Sequence, residues 1–584
     1  MGNFFLDNED IQFHLSQLDL RRLAVEQEDR TRNGDADYVP DSPEDAVDNY
    51  YKVLEIVGEI AADTLESHAE TVDAEGNTLN DDGTVTLHPL VQENIDRCRR
   101  ANLMGFTLPR EFGGLNNPGL IYSIANEMIS RGDCSFMNIF GLQGNAETIN
   151  AFASEEIRQK YLRNFAIDGA TGAMALTEPD AGSDLQAVRL RAWQDESGQW
   201  YLNGVKRFIT NGCGEILVTL ARSEPDVTDG RGLSVFVSRR CPQIRVRHLE
   251  EKLGIHGSPT CELVFDDAPA DLIGERQRGL ITYVMALMNG ARLGIAAQSV
   301  GVAEAAYRLA RTYAASRCQF GVAIERLPAV ADLVVGMKIS LEAARTLMLQ
   351  AAYLCDQETN NLRILENGLC ADKEEEKDRK ARSRSLKRIA GMLTPMSKYY
   401  CSEMANRVAS DAIQVLGGSG YIKDYAAERY FRDARITTLY EGTSQLQVLA
   451  AIRSVSSGVF AGFVEEFETK PYHDPELDGL KDKLVSLRER TVDAATFAKS
   501  QTAGYLDLSG RRIVDAAIHV LIGHWMLGYA TAEGEAGARR RLVARRFIED
   551  GLPTMLAGLE RVMSGDVAVM SQYETLAGPV PVTE

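Results

Sequence analysis

The spacing of apolar residues changes twice along the chain and divides it into helical, strand-forming and again helical regions. From about residue 45 to 170, apolar positions recur at helical spacing. From about 171 to 275 they alternate in short runs separated by Gly, Asn, Asp and Pro, which predicts the strands of a compact β domain. From 276 the helical spacing returns, and the apolar residues between Val330 and Ala351 lie on one side of a long helix.

The pattern predicts an α+β protein with several domains, because 584 residues exceed the size at which one hydrophobic core stops growing. The expected domains are an N-terminal helical domain (1–170), a middle β domain (171–275), a helical bundle (276–456) and a C-terminal helical extension (457–584).

Two segments of these helical regions have unusual composition. Residues 356–392 interrupt the bundle with a run dense in both charge signs, which we expect to be a solvated linker or an exposed helix face. The most apolar long segment, Ile513 to Ala532, contains Asp515, His519 and His524. These polar residues favour a buried helix over a membrane span, so no transmembrane segment is expected.

The composition excludes several classes of protein. With 45% hydrophobic and 25% charged residues, it is that of an ordinary globular protein. The net charge of −21 would repel a phosphate backbone, so nucleic acid is not an expected partner. The nine cysteines form no CxxC pair and have no His at metal-binding spacing, which indicates reduced thiols and no metal site. The N-terminus is acidic where a secretory signal needs basic residues, so a cytoplasmic location is expected.

Two neighbouring segments suggest a binding surface for a flat polar ring. The first is Ala173-Met-Ala-Leu-Thr-Glu-Pro-Asp-Ala-Gly-Ser-Asp184, and the second is Lys206-Arg-Phe-Ile-Thr-Asn-Gly212. Their small residues and hydroxyls let backbone N–H groups and side-chain donors approach a ligand closely. Taken alone, the same residues are also explained by two β-turns rich in Thr, Ser, Asn and Gly.

Two further segments suit a phosphate-bearing ligand. Ser316-Arg-Cys-Gln-Phe-Gly321 places Arg317 at a break between helices, where a guanidinium can bond two oxygens of a pyrophosphate. The glycine cluster of Gln414-Val-Leu-Gly-Gly-Ser-Gly-Tyr421 permits close approach of backbone to a ligand. A plain Arg at a helix end and a Gly-rich turn remain the alternatives. The chain has neither a Rossmann nor a P-loop pattern, which disfavours a doubly wound dinucleotide fold.

Arg432-Asp-Ala-Arg-Ile-Thr-Thr-Leu-Tyr-Glu-Gly-Thr-Ser-Gln445 completes the series. Together and in this order, the segments LTEPDAGSD, FITNG, RCQFG, QVLGGSGY and LYEGTSQ closely resemble the acyl-CoA dehydrogenase family, over roughly residues 90–456. The resemblance implies an N-terminal helical domain, a β-barrel-like middle domain and a C-terminal four-helix bundle. It also implies FAD as cofactor, and α,β-dehydrogenation of an acyl-CoA thioester to the 2-enoyl-CoA, as in β-oxidation, with electrons passed to an electron-transferring flavoprotein.

The resemblance also assigns residues to the cofactor. The flavin ring would be lined from the β domain, and the adenosine end would be bound across a subunit interface, with one chain supplying Arg317 and its neighbours and the partner supplying the glycine loop. Many relatives have Trp at the position of Phe208, so a Trp N–H donor is lost here. The implied cofactor residues are Met174, Leu176, Thr177, Gly182, Ser183, Phe208, Thr210, Arg317, Gln319, Phe320, Gln414, Gly417, Gly418, Thr443 and Gln445.

Glu441 matches the catalytic base of the family. A minority branch carries its base on an earlier helix, immediately before the arginine that matches Arg292. That position is Ala291 here, which has no proton-accepting group. The implied substrate-binding residues are Ser183, Asn289, Arg292 and Gly442. The segment after 456 resembles the extension of the family's larger members, which tend to be dimers, so a homodimer is expected rather than a tetramer.

Other activities remain open at this stage. An acyl-CoA oxidase would use the same base and flavin with oxygen as the electron acceptor. A member of the family with additional decarboxylating or eliminating chemistry would share the motifs too, and a flavin-binding partner protein without activity would need Glu441 to be idle. The sequence does not identify the acyl group, whose tail is expected near Asp133 to Phe140.

Overall fold

A computed structural model of the chain describes residues 2–28 and 38–581. The two chain ends, and residues 29–37 of the predicted first domain, lie outside the described residues. The chain divides into two compact units. The first comprises Met1–Leu386 and Ser397–Thr443, and the second comprises Lys387–Met396 and Ser444–Glu584.

The first unit begins with a helical region, as predicted. Side-chain caps fix several of its helix starts: Ser42 accepts a hydrogen bond from Asp45 N (3.1 Å), and Asp133 accepts one from Ser135 N (2.8 Å). The helices are α1 (Glu9–Ser16), α2 (Leu20–Glu28), α3 (Pro43–Ile60), α4 (Glu66–Glu75), α5 (Pro89–Arg100), α6 (Gly119–Gly132), α7 (Cys134–Gly141), α8 (Gly144–Phe152) and α9 (Glu155–Arg163).

The middle region is a closed sheet. A small hairpin, β1 (Thr78–Leu79) and β2 (Val85–Thr86), precedes β3 (Gly172–Ala175), β4 (Arg191–Gln194), β5 (Trp200–Thr210), β6 (Ile216–Arg222), β7 (Leu233–Arg239), β8 (Ile244–Leu249) and β9 (Thr260–Ile273). Five strands close into a barrel in the order β6-β4-β5-β9-β7, because β7 pairs again with β6. Strand β3 adds to β6 in parallel and β8 adds to β9.

Strands β6 and β7 show how the predicted strands of this domain are buried. Both are buried on their two faces, and successive residues enter different cores. Val218 and Val235 pack against the helical residues Ile149 and Leu162, whereas Phe236 belongs to the cluster inside the barrel. The predicted fold class is therefore confirmed.

Long helices follow the barrel: α10 (Met285–Ser316), α11 (Pro328–Glu366), α12 (Lys373–Leu416) and α13 (Ala427–Ile436), with the short hairpin β10 (Cys318–Gln319) and β11 (Val322–Ala323) between α10 and α11. Helix α10 packs on α6 and α11.

The charged segment 356–392 does not interrupt the bundle, which corrects the linker interpretation. It continues α11 to Glu366 and starts α12 at Lys373, so it forms an antiparallel pair of helix ends joined by a short turn. Asp372 caps α12 by accepting bonds from the N–H groups of Glu374 (2.9 Å) and Glu375 (2.8 Å). Of the two predicted alternatives, the helix face is the one observed.

The second unit is helical after residue 444. It contains α14 (Ser444–Ser456), α15 (Val459–Glu468), α16 (Pro475–Ser500), α17 (Ala503–Tyr529), α18 (Gly534–Met563), α19 (Ala568–Ser571) and α20 (Tyr573–Ala577). Helices α16, α17 and α18 pack on one another. The apolar segment that starts at Ile513 lies in α17 and is almost wholly buried, as predicted.

A different stretch from the predicted one has the length and composition of a membrane span. Among the described residues, the helical stretch Gly279–Ser316 is long and apolar enough to cross a membrane. The pair Ser444–Ser456 and Val459–Glu468 meets this condition only if it is counted as one span despite a bend of 67°.

Candidate active site

Glu441 lies in a turn between α13 and α14 whose backbone is unusual. Its φ is +53°, and that of the following Gly442 is +89°. A non-glycine residue in this left-handed region costs roughly 1–2 kcal/mol, so the surrounding structure must hold it there. The glycine at 442 meets a conformational requirement, because a side chain at that φ would add further strain.

Two cations act on the Glu441 carboxyl. Lys398 of α12 is fully buried, and Arg292 of α10 is 8% exposed. Burial raises the pKa of Glu441 to about 7, while the charges of Lys398 and Arg292 oppose this rise. Burial also lowers the pKa of Lys398 to about 7, against the attraction of Glu441. A carboxyl with a pKa near neutral can both take up and release a proton under physiological conditions.

Arg292 is tied to a second predicted residue. Its Nη1 donates to the Asn289 Oδ1 at 3.0 Å, so these two predicted substrate residues form one polar group on α10. The buried Arg292 Nε has no hydrogen-bond partner among the described residues. A buried donor without a partner is costly, which indicates that this guanidinium faces a site completed by a ligand.

The residue before the candidate base joins the bundle to α7. The Tyr440 hydroxyl contacts the Asn138 Oδ1 (3.1 Å) and the side-chain oxygen of Gln298. Gln298 of α10 in turn donates to Asn138 and to the carbonyl of Cys134. The turn with Glu441 is thereby anchored against α7, the helix near which the acyl tail is expected.

The two motifs at the edge of the barrel meet through a lysine. Lys206 is fully buried, and its Nζ donates to the Leu176 carbonyl (2.7 Å) and to the Glu178 carboxylate (2.9 Å). The N–H of Arg207 donates to the Thr177 carbonyl at 2.9 Å. The segment after β3 therefore lies beside the end of β5, and the structure brings the two predicted ring-binding segments together.

The surface made by these segments suits a flavin. Phe208 is 54% exposed at a φ of +61°, and Arg207 lies over its ring at 4.8 Å. Met174, Thr177 and Thr210 are partly exposed beside it. An exposed aromatic face next to hydroxyl groups matches a ring system with an apolar face and polar edges. Leu176 is buried behind this surface, and Gly182 and Ser183 are exposed.

The two predicted phosphate-binding segments also lie close together. Tyr313, one helical turn before Arg317, contacts Ser419 Oγ at 3.3 Å. Arg317, Gln319 and Phe320 are exposed, and Phe320 is 91% exposed at a φ of +53°. A Cβ added to Gly417 or Gly418 would meet nothing within 4 Å, so this loop leaves open space for a ligand. These residues fit a dinucleotide cofactor.

The remaining predicted cofactor residues are assigned to both units of the chain. Gln414 is an exposed residue near the end of α12, and Thr443 is the last residue of the first unit. Gln445 is exposed on α14 in the second unit.

Sequence reasoning missed several residues of the site. Lys398 and Gln298 carry no motif signal, since a lone Lys or Gln in a helix looks like surface. Lys206 begins one of the predicted segments, but no role was predicted for its side chain. Glu147 of α8 was missed too: it accepts a hydrogen bond from Thr107 (2.6 Å), and burial raises the pKa of its carboxyl. The other carboxylate oxygen of Glu147 is close to Gly290, the residue after Asn289: a Cβ added to this glycine would lie 3.9 Å from it.

Comparisons with known proteins identify the family that the chain resembles. Models of the acyl-CoA dehydrogenase N-terminal, middle and C-terminal domains match residues 51–167, 173–268 and 278–456. An acyl-CoA dehydrogenase of Bacillus subtilis is 37% identical over 372 residues, which are 62% of this chain and 89% of that protein.

Two solved structures are also similar to this chain. A structure titled as an electron transferring flavoprotein of Acidaminococcus fermentans has a chain 30% identical, with a TM-score of 0.59 over 70% of this chain and 97% of that one. The acyl-CoA dehydrogenase from Bacillus anthracis complexed with FAD is 22% identical with a TM-score of 0.75, covering 92% of both chains, and is similar in fold.

Proposed function

The chain belongs to the acyl-CoA dehydrogenase family of oxidoreductases acting on CH–CH groups, and we propose that it dehydrogenates an acyl-CoA thioester between its α- and β-carbons with Glu441 as the base. The observation that carries the proposal is the Glu441 turn. It presents a carboxyl with a pKa of about 7 between two buried cations. That carboxyl is the group needed to remove a weakly acidic α-proton.

In the proposed reaction, Glu441 takes the α-proton while the thioester oxygen is held by donors that include the backbone N–H of Glu441. Arg292 and Asn289, which are hydrogen-bonded to each other, would hold the substrate beside the base. Bound FAD supplies the acceptor for the hydride that leaves the β-carbon. Residues Met174, Thr177, Phe208 and their neighbours would hold its ring, and Arg317 together with the glycine loop of a second chain would hold its adenosine end.

We further propose a cytoplasmic homodimer that acts in β-oxidation and passes its electrons to an electron-transferring flavoprotein. The cofactor surface supports the dimer, since the Arg317 segment and the Phe320 ring are exposed where a partner would complete the site. All nine cysteines are free, which suits a reducing compartment.

The test is an anaerobic screen of acyl-CoA thioesters of different chain length, branching and second carboxylate, with loss of flavin absorbance as the readout. Rapid bleaching by at least one thioester is expected. Bleaching by none of them would refute the proposal. Admitting air afterwards distinguishes the activities: a reduced flavin that persists indicates a dehydrogenase, and immediate reoxidation with peroxide formation indicates an oxidase.

A further inference from the structure

Lys398 is a fully buried lysine whose hydrogen bond goes to the turn that carries the base. It lies on α12, and its Nζ donates to the carbonyl oxygen of Gly442 at 2.7 Å. Burying an ammonium is costly unless other groups compensate for the lost water. Packing alone does not explain a buried lysine that donates to a backbone carbonyl next to the candidate base.

The bond restrains a backbone that needs restraint. Glu441 and Gly442 both have positive φ, at +53° and +89°. Such a conformation persists only where neighbouring groups over-determine it. By holding the Gly442 carbonyl, Lys398 restrains the peptide between Gly442 and Thr443, and so restrains the positive-φ turn on the C-terminal side of Glu441.

The charges around Lys398 act on the same carboxyl. Glu441 attracts its ammonium from the turn, Arg292 repels it from α10, and Glu403 attracts it from α12 itself. Lys398 and Arg292 thus both favour the ionised form of Glu441, and they oppose the effect of burial. Ionisation is what a base requires before substrate binds.

We propose that Lys398 is a positioning residue that holds the Glu441–Gly442 turn and favours the ionised form of the base in the free enzyme. The inference rests on the proposed role of Glu441. It differs from a purely structural role, because the ammonium charge, and not only the hydrogen bond, is needed for activity at neutral pH.

Lys398→Met tests this, because Met fills similar space without a charge or a donor. The acidic limb of the kcat/KM profile should move up by about one pH unit, which is about a tenfold loss below the limb and a smaller loss above it. Lys377→Met, at an exposed lysine of the same helix, is the control and should leave the profile unchanged. An equal loss at every pH with a lower Tm would indicate a structural residue and overturn the proposal.

A second variant guards against a protein that fails to fold. Lys398→Gln keeps an N–H donor but has no charge, so it should retain more of the Tm and still show the shifted limb. A wild-type limb in folded Lys398→Gln would overturn the role of the charge.

A measurement without substrate separates this proposal from the proposed function. The difference in Tm between the wild-type protein and Glu441→Gln, measured over a range of pH, reports ionisation of the Glu441 carboxyl. The pH at the midpoint of this change should be higher when both proteins also contain Lys398→Met. If the wild-type flavin is bleached by no thioester, the proposed function fails while this comparison still decides the effect of Lys398 on Glu441. An unchanged midpoint would refute the inference.

Discussion

Replacing Glu441 by Gln should slow flavin reduction and at the same time stabilise the fold at alkaline pH. Burial raises the pKa of Glu441 from its ordinary 4.5 to about 7. The folded state therefore binds its proton more tightly than the unfolded state. The stabilisation from that proton is complete below pH 4.5 and is lost as the pH rises through 7.

The size of the effect follows from the difference between the two pKa values. It corresponds to about 3 kcal/mol of stability that the wild type lacks at pH 8. Gln has nearly the same shape and no charge to desolvate, so Glu441→Gln should gain up to that amount relative to wild type. For a unit of roughly 430 residues this is a rise in Tm of about 3 °C.

Calorimetry at pH 5 and pH 8, together with rapid-mixing measurement of flavin bleaching, provides the assay. The rise in Tm should appear at pH 8 and be much smaller at pH 5. The bleaching rate should fall by about two to four powers of ten, because Gln cannot accept the α-proton. A variant that bleaches at the wild-type rate would refute Glu441 as the base, and an equal change in Tm at both pH values would refute its raised pKa.

Four other expectations can be measured directly. Gly442→Ala should lower the free energy of unfolding by about 1 kcal/mol or more in urea titrations and reduce turnover, since φ is +89° there. Arg345→Met should cost about 3–5 kcal/mol, seen as a lower Tm, because it leaves the buried Glu127 and Glu304 without their shared guanidinium. Arg317→Met should release FAD on gel filtration, measured as flavin absorbance left with the protein. Light scattering of the flavin-loaded protein should give the mass of a dimer, and a fully loaded monomer would contradict the shared cofactor site.

Local sequence patterns predicted the strands of the middle domain but not the helices of the charged segment. In β6 and β7 almost every residue is buried in one of two cores, and the sequence shows this as short, mostly apolar runs bounded by polar and glycine residues. In the charged segment, high charge density concealed a helix. A signal was present, because Asp372 is a helix cap followed by three glutamates, and Glu376 pairs with Lys380 one turn later.

The motifs of the candidate site could be identified from the sequence, but the residues that contact them could not. Motif residues such as Glu441 and Arg317 stand in recognisable local contexts. Tyr440, Asn138 and Gln298 contact one another across gaps of 142 and 160 residues, so only the packing of α7 against α10 reveals them. A single sequence contains no record of such distant contacts.

A raised pKa alone would not have identified the base. Burial raises the pKa of Asp356 and of Asp433 to about 7 as well. Asp356 accepts bonds from the first N–H groups of α6, at 2.8 and 2.7 Å, and Asp433 accepts one from Ile255 N at 2.5 Å. Both carboxyls are committed to holding backbone in place. Glu441 differs from them in its backbone and in the charges around it: it lies in a positive-φ turn under the charges of Lys398 and Arg292, and these surroundings match the requirements of proton transfer.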